Sequence, residues 1–262
     1  MDAHVPQRLR LRDGQGLSAV KVTGATYCWQ VRTYECGPDG LAALPTVCNY
    51  LQEAASLNAE ALKFSKSNFD AAGANISWVL TRLKVRMERF PAWEERVHVA
   101  TWPRGGRRIV AWRDFLLSDD SGGVLGRATS EWMLIDLATR KVVPVPQEVF
   151  DAADTSRPPV FGDEDFARLR WPAGATGAAA QAFRARRGDI DLNGHVNNVH
   201  YVEWMLETVP EGFRPHACDV VFKTETLVGE EVRAEAVPEG DGAFLCRATA
   251  ADGRDHALAR FA

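Results

Sequence analysis

The segment DIDLNGHVNNVHYVEW, residues 189–204, carries the most informative pattern in the chain. Its first half places Asp191, Asn193 and His195 at alternate positions around a glycine, and its second half is dense in Val, Tyr and Trp. Asp, Asn and Gly favour turns and helix N-caps, whereas the apolar run favours a buried helix. The pattern predicts a polar turn that leads into a helix starting near Val196.

Composition sets the broad class. With 262 residues, 46% of them hydrophobic and 25% charged, the chain can form one large or two modest globular domains without cross-links to stabilise the core. Its net charge of −4 argues against a nucleic-acid-binding protein. No window approaches the roughly 20 apolar residues that a membrane-spanning helix needs. We therefore expect neither a nucleic-acid partner nor a membrane span.

The cysteines and the first residues bear on location. Five cysteines, an odd count with no C-x-x-C pair, argue against a disulfide framework or a zinc ribbon. The first 16 residues, MDAHVPQRLRLRDGQG, contain no apolar run of a secretory signal. These features predict reduced thiols and a cytoplasmic location. We also expect no metal and no cofactor.

Two halves of the chain show the same order of elements: strand, turn, helix and then further strands. In the first half the predicted strands are separated by tight turns at RGGR (residues 104–107) and DDSGG (residues 119–123), which predicts an antiparallel sheet. We expect a polar segment at 1–20, a first domain at 21–150, a linker at 151–180 and a second domain at 181–262. The predicted strands are YCWQVRTYE, WVLTRLKVRME, RVHVATW, RIVAWRDFLL, ATSEWMLIDL, QAFRARR, CDVVFKTETL, EVRAEAVP, FLCRATA and HALARFA.

The halves can be superposed through Gly37 on Gly188 and Tyr50 on Tyr201, which indicates an internal duplication. In this alignment Asp191 meets Gly40, Asn193 meets Ala42, and His195 meets Leu44. Only the second copy then carries polar residues before its helix, so we expect one chemical site per chain.

Three separated stretches resemble the acyl-acyl-carrier-protein thioesterases of bacteria and plant plastids. They are VRTYECGPDGLAALPTVCNYLQEAA, WVLTRLKVRMERFPAWEERVHVATWP and DIDLNGHVNNVHYVEWMLETVP. The resemblance implies an α+β fold of two tandem hotdog domains, each a curved antiparallel sheet wrapped around a long central helix. It implies hydrolysis of acyl thioesters carried on the phosphopantetheine arm of acyl-carrier protein, with release of free fatty acid.

The resemblance also implies a set of catalytic residues: Asp191, Asn193, His195 and, within FKTETL, Glu225. Plant members have a cysteine after that glutamate, whereas this chain has Thr226, which argues against a cysteine nucleophile. The candidates for binding substrate are Gly194, Val196, Asn197 and Trp78.

Thioester hydrolysis needs a base to activate water and donors to hold the carbonyl oxygen, because a thiol of pKa about 8.5 leaves with little help. Amides at the start of the helix near Val196 could hold the oxygen. Either Glu225 or Asp191 could be the base. Glu225 would suit this role if it lay beside a carboxylate in an apolar pocket. The acyl chain is expected in an apolar tunnel between helix and sheet, with walls from residues 45–62 and Trp78.

Other interpretations stay open. Asp191 and Asn193 would serve equally well as turn or cap residues, and Glu225 with Lys223 could be a solvated ion pair. An acyl-CoA thioesterase of the 4-hydroxybenzoyl-CoA type would use the same site, and a non-catalytic acyl- or carrier-binding module would bind without turnover. Arginines at 104–108 and 184–187 could contact an acidic carrier. The oligomeric state is open, with a homodimer as one option.

Overall fold

The computed structural model describes residues 24–177 and 179–262. In the first half the elements follow the predicted order, with one long helix and two short ones. They are β1 (Ala25–Gln30), α1 (Leu44–Ala61), α2 (Lys66–Ala71), β2 (Ile76–Met87), β3 (Arg96–Arg107), β4 (Val110–Ser118), β5 (Val124–Asp136), β6 (Val142–Val143) and α3 (Gln147–Asp151).

The second half repeats this order in a shorter form, with a single α-helix among its described residues. Its elements are β7 (Gln181–Arg184), α4 (Asn198–Leu206), β8 (Ala217–Phe222), β9 (Glu231–Pro238), β10 (Phe244–Ala250) and β11 (Asp255–Phe261). A 3-10 turn precedes the helix region of each half, at Thr33–Glu35 and Arg187–Asp189.

The two halves share one continuous antiparallel sheet, in the order β1-β3-β4-β5-β2-β8-β11-β10-β9-β7 with β6 paired to β5. They join where β2 pairs with β8, from Arg82 opposite Val221 to Arg86 opposite Ala217. Helix α1 packs on β1 and β3, helix α4 packs on β9, β10 and β11, and the two helices contact each other. The fold is thus the expected α+β arrangement, in which each part of the sheet covers its own helix.

Helix α1 is held by its buried face rather than by an N-cap side chain. It begins with Leu44 and Pro45, where the ring of proline fits the first turn. Its inward positions Val47, Cys48 and Leu51 are 0–1% exposed. Burying side chains of this size contributes about 1.5–3 kcal/mol each, so packing on the sheet stabilises the helix.

Leu44→Ala is expected to reduce stability rather than chemistry. Leu44 is 4% exposed at the first position of α1, so its truncation should cost about 2–5 kcal/mol of unfolding free energy. Denaturant unfolding measures the loss, and turnover per folded molecule should stay unchanged. A well-folded variant without turnover would overturn the expectation of a single site in the second half.

Three local predictions about strands were wrong. The RGGR segment is not a turn, because β3 continues through Arg107 and the hairpin turns at Arg108, whose φ is +51°. The first strand ends at Gln30, and the residues after Val31 turn into the 3-10 segment. Glu225 also lies beyond its predicted strand, because β8 ends at Phe222.

The internal repeat is present, but in a different alignment from the predicted one. Cys36 pairs with Ala42 across the first turn, as Ile190 pairs with Val196 across the second. The amide of Gly37 donates to Leu41 O at 2.9 Å, and the amide of Asp191 donates to His195 O at 3.0 Å. Asp191 therefore corresponds to Gly37, Asn193 to Asp39, Gly194 to Gly40 and His195 to Leu41. The first copy has one polar residue in this turn, Asp39. It has glycine at the position of Asp191 and leucine at the position of His195.

The segment between the halves is bound to the sheet instead of acting as a loose spacer. Three buried carboxylates on three strands each accept a hydrogen bond from a backbone amide of this segment. The carboxylates are those of Asp114, Asp219 and Glu235. Asp114 accepts from Val160 N at 3.1 Å, Asp219 from Ala167 N at 2.8 Å, and Glu235 from Gly177 N at 2.8 Å. The Pro-, Gly- and Ala-rich composition explains why this segment lacks regular structure, but not where it lies.

Candidate active site

Hydrogen bonds between its own residues hold the polar turn before α4. The carboxylate of Asp191 accepts hydrogen bonds from the backbone amide of Asn193 at 2.8 Å and from its side-chain amide at 3.2 Å. Gly194 then adopts a φ of +83°, a left-handed conformation that residues with a Cβ rarely adopt. The turn is a local Asx structure, and it brings the ring of His195 to its edge.

The helix after this turn begins at Asn198, two residues later than the predicted start. Asn197 is the N-cap, and its side-chain oxygen accepts hydrogen bonds from Val199 N at 2.9 Å and from Gln52 Nε2 of α1 at 3.2 Å. The amide of Val196 donates to Thr226 O, and that of Asn197 donates to Asp189 O, both at 2.9 Å. These two amides are therefore not available to a substrate carbonyl.

One amide at the helix start remains open to a ligand. The first helical residue, Asn198, has no hydrogen-bond acceptor for its N–H among the described residues. An unsatisfied N–H at a helix start favours an oxygen that gains negative charge. Of the three amides from Val196 to Asn198, only that of Asn198 is therefore free to donate to a bound oxygen.

Glu225 lies beside His195, in the loop after β8. Its Oε2 is 4.0 Å from His195 Nε2, and both side chains are about one-third exposed. This distance exceeds a direct hydrogen bond, but catalytic contacts are often long before substrate binds. The structure thus brings together two of the four predicted catalytic side chains, while Asp191 and Asn193 bond to each other.

A residue that the sequence did not indicate completes this cluster. The guanidinium of Arg140, in the turn between β5 and β6, lies 2.6 Å from Glu225 Oε2. Glu225 therefore has a cation and an imidazole as neighbours, whereas a carboxylate in an apolar pocket was expected. Because Arg140 and Gln52 come from the first half, the cluster is shared between the halves, and no local motif could have revealed either residue.

Trp78 makes its contacts within a second, smaller core. Its indole N–H donates to Phe64 O at 2.7 Å, and its ring packs against Phe69. The expected tunnel is closed in this structure, because Val47 and Leu51 on the inner face of α1 are fully packed. An acyl chain would have to displace side chains in order to enter.

In α4, His200 and Glu203 form an ion pair. His200 Nδ1 lies 2.6 Å from Glu203 Oε2, and this contact raises the pKa of His200. Among residues 24–177 and 179–262, no group of three or more His, Cys, Asp or Glu side chains could hold a metal ion. None of the helices in the same ranges is both long and apolar enough to cross a membrane.

Comparison with solved structures gives the class of protein. The chain superposes on the 12:0-ACP thioesterase of Umbellularia californica with a TM-score of 0.81 and 26% identity, over 94% of this chain and 98% of that one. It superposes on an acyl-ACP thioesterase of Bacteroides thetaiotaomicron with a TM-score of 0.80 and 22% identity, over 91% and 96% of the two chains. The class is therefore that of tandem hotdog proteins.

Family models identify the chain further. The acyl-ACP thioesterase N-terminal domain matches residues 24–153, and the C-terminal domain of the same family matches residues 175–260. The chain belongs to the acyl-ACP thioesterase family.

Curated relatives agree with this assignment. The chain is 31% identical to the chloroplastic palmitoyl-acyl carrier protein thioesterase of Cuphea hookeriana over 248 residues, which cover 88% of this chain and 60% of that protein. It is 34% identical to oleoyl-acyl carrier protein thioesterase 2 of Arabidopsis thaliana over 193 residues, or 69% of this chain and 53% of that protein. The matched regions thus span only part of the length of these relatives.

Proposed function

We propose that the chain hydrolyses fatty acyl thioesters of acyl-carrier protein and releases the free fatty acid. The observation that carries this proposal is the pairing of His195 with Glu225 at the edge of the turn that leads into α4. Family membership supports the reaction class, and the names of the relatives support acyl-carrier protein as the carrier.

Glu225 is the better candidate for the general base. Its carboxylate projects from a loop and is partly exposed to solvent, so a water molecule can reach it. The carboxylate of Asp191 already accepts two hydrogen bonds from Asn193, which leaves it fewer free lone pairs. In this assignment Asp191 and Asn193 shape the turn, and His195 orients the water or Glu225.

The thioester carbonyl would point towards the free amide of Asn198. As the attacking water adds, the oxygen gains negative charge, and the helix start stabilises it. Gly194 lets the substrate approach, since a Cβ placed there would meet nothing within 4 Å. The thiolate then leaves without an acid of its own.

The acyl chain would enter the apolar core along α1. This requires movement of packed side chains such as Leu51, because the interior is filled. The relatives carry palmitoyl, oleoyl and 12:0 in their names, so the family does not fix one chain length. We infer a cytoplasmic enzyme from its composition, although the plant relatives are named chloroplastic.

A turnover screen tests the function. Purified protein is given acyl-carrier protein loaded with saturated chains from C8 to C18, and the same acyl groups on CoA, and the released thiol is followed. We expect faster turnover of the carrier-bound series. Equal or faster turnover of the CoA series would favour the acyl-CoA alternative, whereas binding without thiol release would favour a non-catalytic module.

Arg140→Ala should reduce turnover about tenfold, because Glu225 then loses the cation that orients it. The pair is about half exposed, so its loss should change the free energy of unfolding by less than about 1 kcal/mol. Steady-state kinetics and thermal unfolding measure the two effects. Arg140→Lys should restore part of the turnover, and Lys141→Ala serves as the neighbouring control. Unchanged kinetics for Arg140→Ala would remove the guanidinium from the mechanism.

A further inference from the structure

A buried histidine contacts the residue before and the residue after Glu225 in the loop that follows β8. His256 on β11 is 3% exposed, and its Nδ1 lies 3.0 Å from the hydroxyl of Thr224 and 3.2 Å from that of Thr226. The same nitrogen lies 3.1 Å from Thr224 O. Because a carbonyl oxygen can only accept, a bond to Thr224 O places the hydrogen on Nδ1, and the hydroxyl oxygens of Thr224 and Thr226 then accept a share of the same N–H.

Thr226 is also the point where the loop meets the turn and α4. Its carbonyl accepts the amide of Val196 at 2.9 Å, and its hydroxyl accepts the phenol of Tyr201 at 2.8 Å. Thr226 is fully buried and Tyr201 is 2% exposed. Burial raises the pKa of Tyr201 to about 12, so the phenol remains a donor at neutral pH.

We propose that Thr226, held by Tyr201 and His256, is a positioning residue that fixes Glu225 against His195. The inference rests on the proposed function, in which Glu225 is the base. With Thr224 and Thr226 both anchored, the backbone on each side of Glu225 is fixed, and its partly exposed carboxylate stays beside Arg140, where water can reach it. Thr226 also ties this loop to the turn before α4, so His195 and Glu225 keep their separation.

The variant that isolates this role is Thr226→Val, which keeps the shape and removes the hydroxyl. It leaves the phenol of Tyr201 without its acceptor, and the loop loses its side-chain contacts with Tyr201 and His256. We expect kcat to fall about tenfold with little change in KM, and Thr226→Ser to restore most of it. Thr208→Val is the matched control: Thr208 is also buried, but its hydroxyl donates to Met205 O at the end of α4.

A double-mutant cycle separates positioning from general loss of structure. Because Thr226 acts through Glu225, Thr226→Val should not lower the residual turnover of Glu225→Gln any further. Full activity of Thr226→Val, or an equal fold-loss in both backgrounds, would overturn the proposal.

A second readout does not depend on turnover. The ring signals of His195 in NMR spectra should differ between the wild type and Glu225→Gln, and this difference should vanish in the Thr226→Val background. A difference of equal size in both backgrounds would show that the hydroxyl of Thr226 is not needed to position Glu225. If the protein hydrolyses no acyl thioester but the NMR coupling depends on Thr226, the proposed function fails while the positioning role stands.

Discussion

Replacing Glu225 with Gln is expected to lower thioester turnover by about a hundredfold or more, the usual scale for loss of a general base. Gln keeps the shape of the side chain and removes the carboxylate that would take the proton from water. Asp191→Ala and His195→Ala should cause losses of similar size, the first by opening the turn and the second by removing the imidazole. Released thiol from acyl-carrier protein at saturating substrate measures the effect.

The control for this experiment is Glu231→Gln, the same change at an exposed residue on β9. Thermal unfolding should show that both variants stay folded, since the side chain of Glu225 is partly exposed. Full activity of Glu225→Gln would exclude this residue as the base and return the role to Asp191.

A large loss of stability is expected from Glu235→Ala. The carboxylate of Glu235 is buried, and it accepts hydrogen bonds from Gly177 N at 2.8 Å and from Arg247 Nε at 2.8 Å. Arg247 in turn lies over Trp171 of the connecting segment, 4.3 Å from its ring centroid. Removing the carboxylate of Glu235 leaves the amide of Gly177 without an acceptor and Arg247, whose side chain is 25% exposed, without its ion partner, so we expect a loss of about 3 kcal/mol. Denaturant unfolding at pH 7 measures this.

Glu239→Ala is the matched control, because Glu239 also bonds to an arginine, Arg260, at 2.7 Å, but on the surface. It should cost less than about 1 kcal/mol. Equal losses for the two variants would show that the buried carboxylate does not hold the connecting segment.

The contribution of Glu235 should depend on pH in a definite direction. Burial alone would raise the pKa of Glu235, but the bonds from Gly177 and Arg247 outweigh it and hold the pKa below its ordinary value. A group with a depressed folded-state pKa stabilises fully above the unfolded value of about 4.3 and loses this contribution as pH falls through the folded value. The difference in stability between the wild type and Glu235→Gln should therefore shrink between pH 5 and pH 3. A constant difference would contradict the assignment.

The sequence predicted those features that follow from local chemistry. Alternating side chains located β2, β4 and β5, and Pro45 with its apolar stripe located α1, because both patterns depend on burial of one face. The Asp, Asn and Gly types at 191–194 predicted a turn, which is what these side chains form. The sequence indicates the duplication, but an alignment through Tyr50 and Tyr201 is wrong, because the backbone hydrogen bonds of the two turns define a different correspondence.

The features that the sequence missed depend on contacts between distant segments. Arg140 and Glu225 belong to different halves, and nothing near Arg140 in the chain distinguishes it from a surface arginine. His256 is one histidine in a strand, and its role depends on a loop that packs beside it. The buried carboxylates under the connecting segment read as ordinary charges, because alternation does not indicate which outward face is covered.

The pairing of β2 with β8 has a consequence for any attempt to divide the protein. A cut within 154–174, between the two matched domains, would leave one edge of β2 unpaired on one fragment and one edge of β8 unpaired on the other. An unpaired edge strand is a template for aggregation. Each fragment would also lack part of the cluster proposed to be catalytic, because Arg140 would stay on one piece and Glu225 with His195 on the other. Fragment complementation should thus restore solubility and turnover together, and neither piece alone should show either.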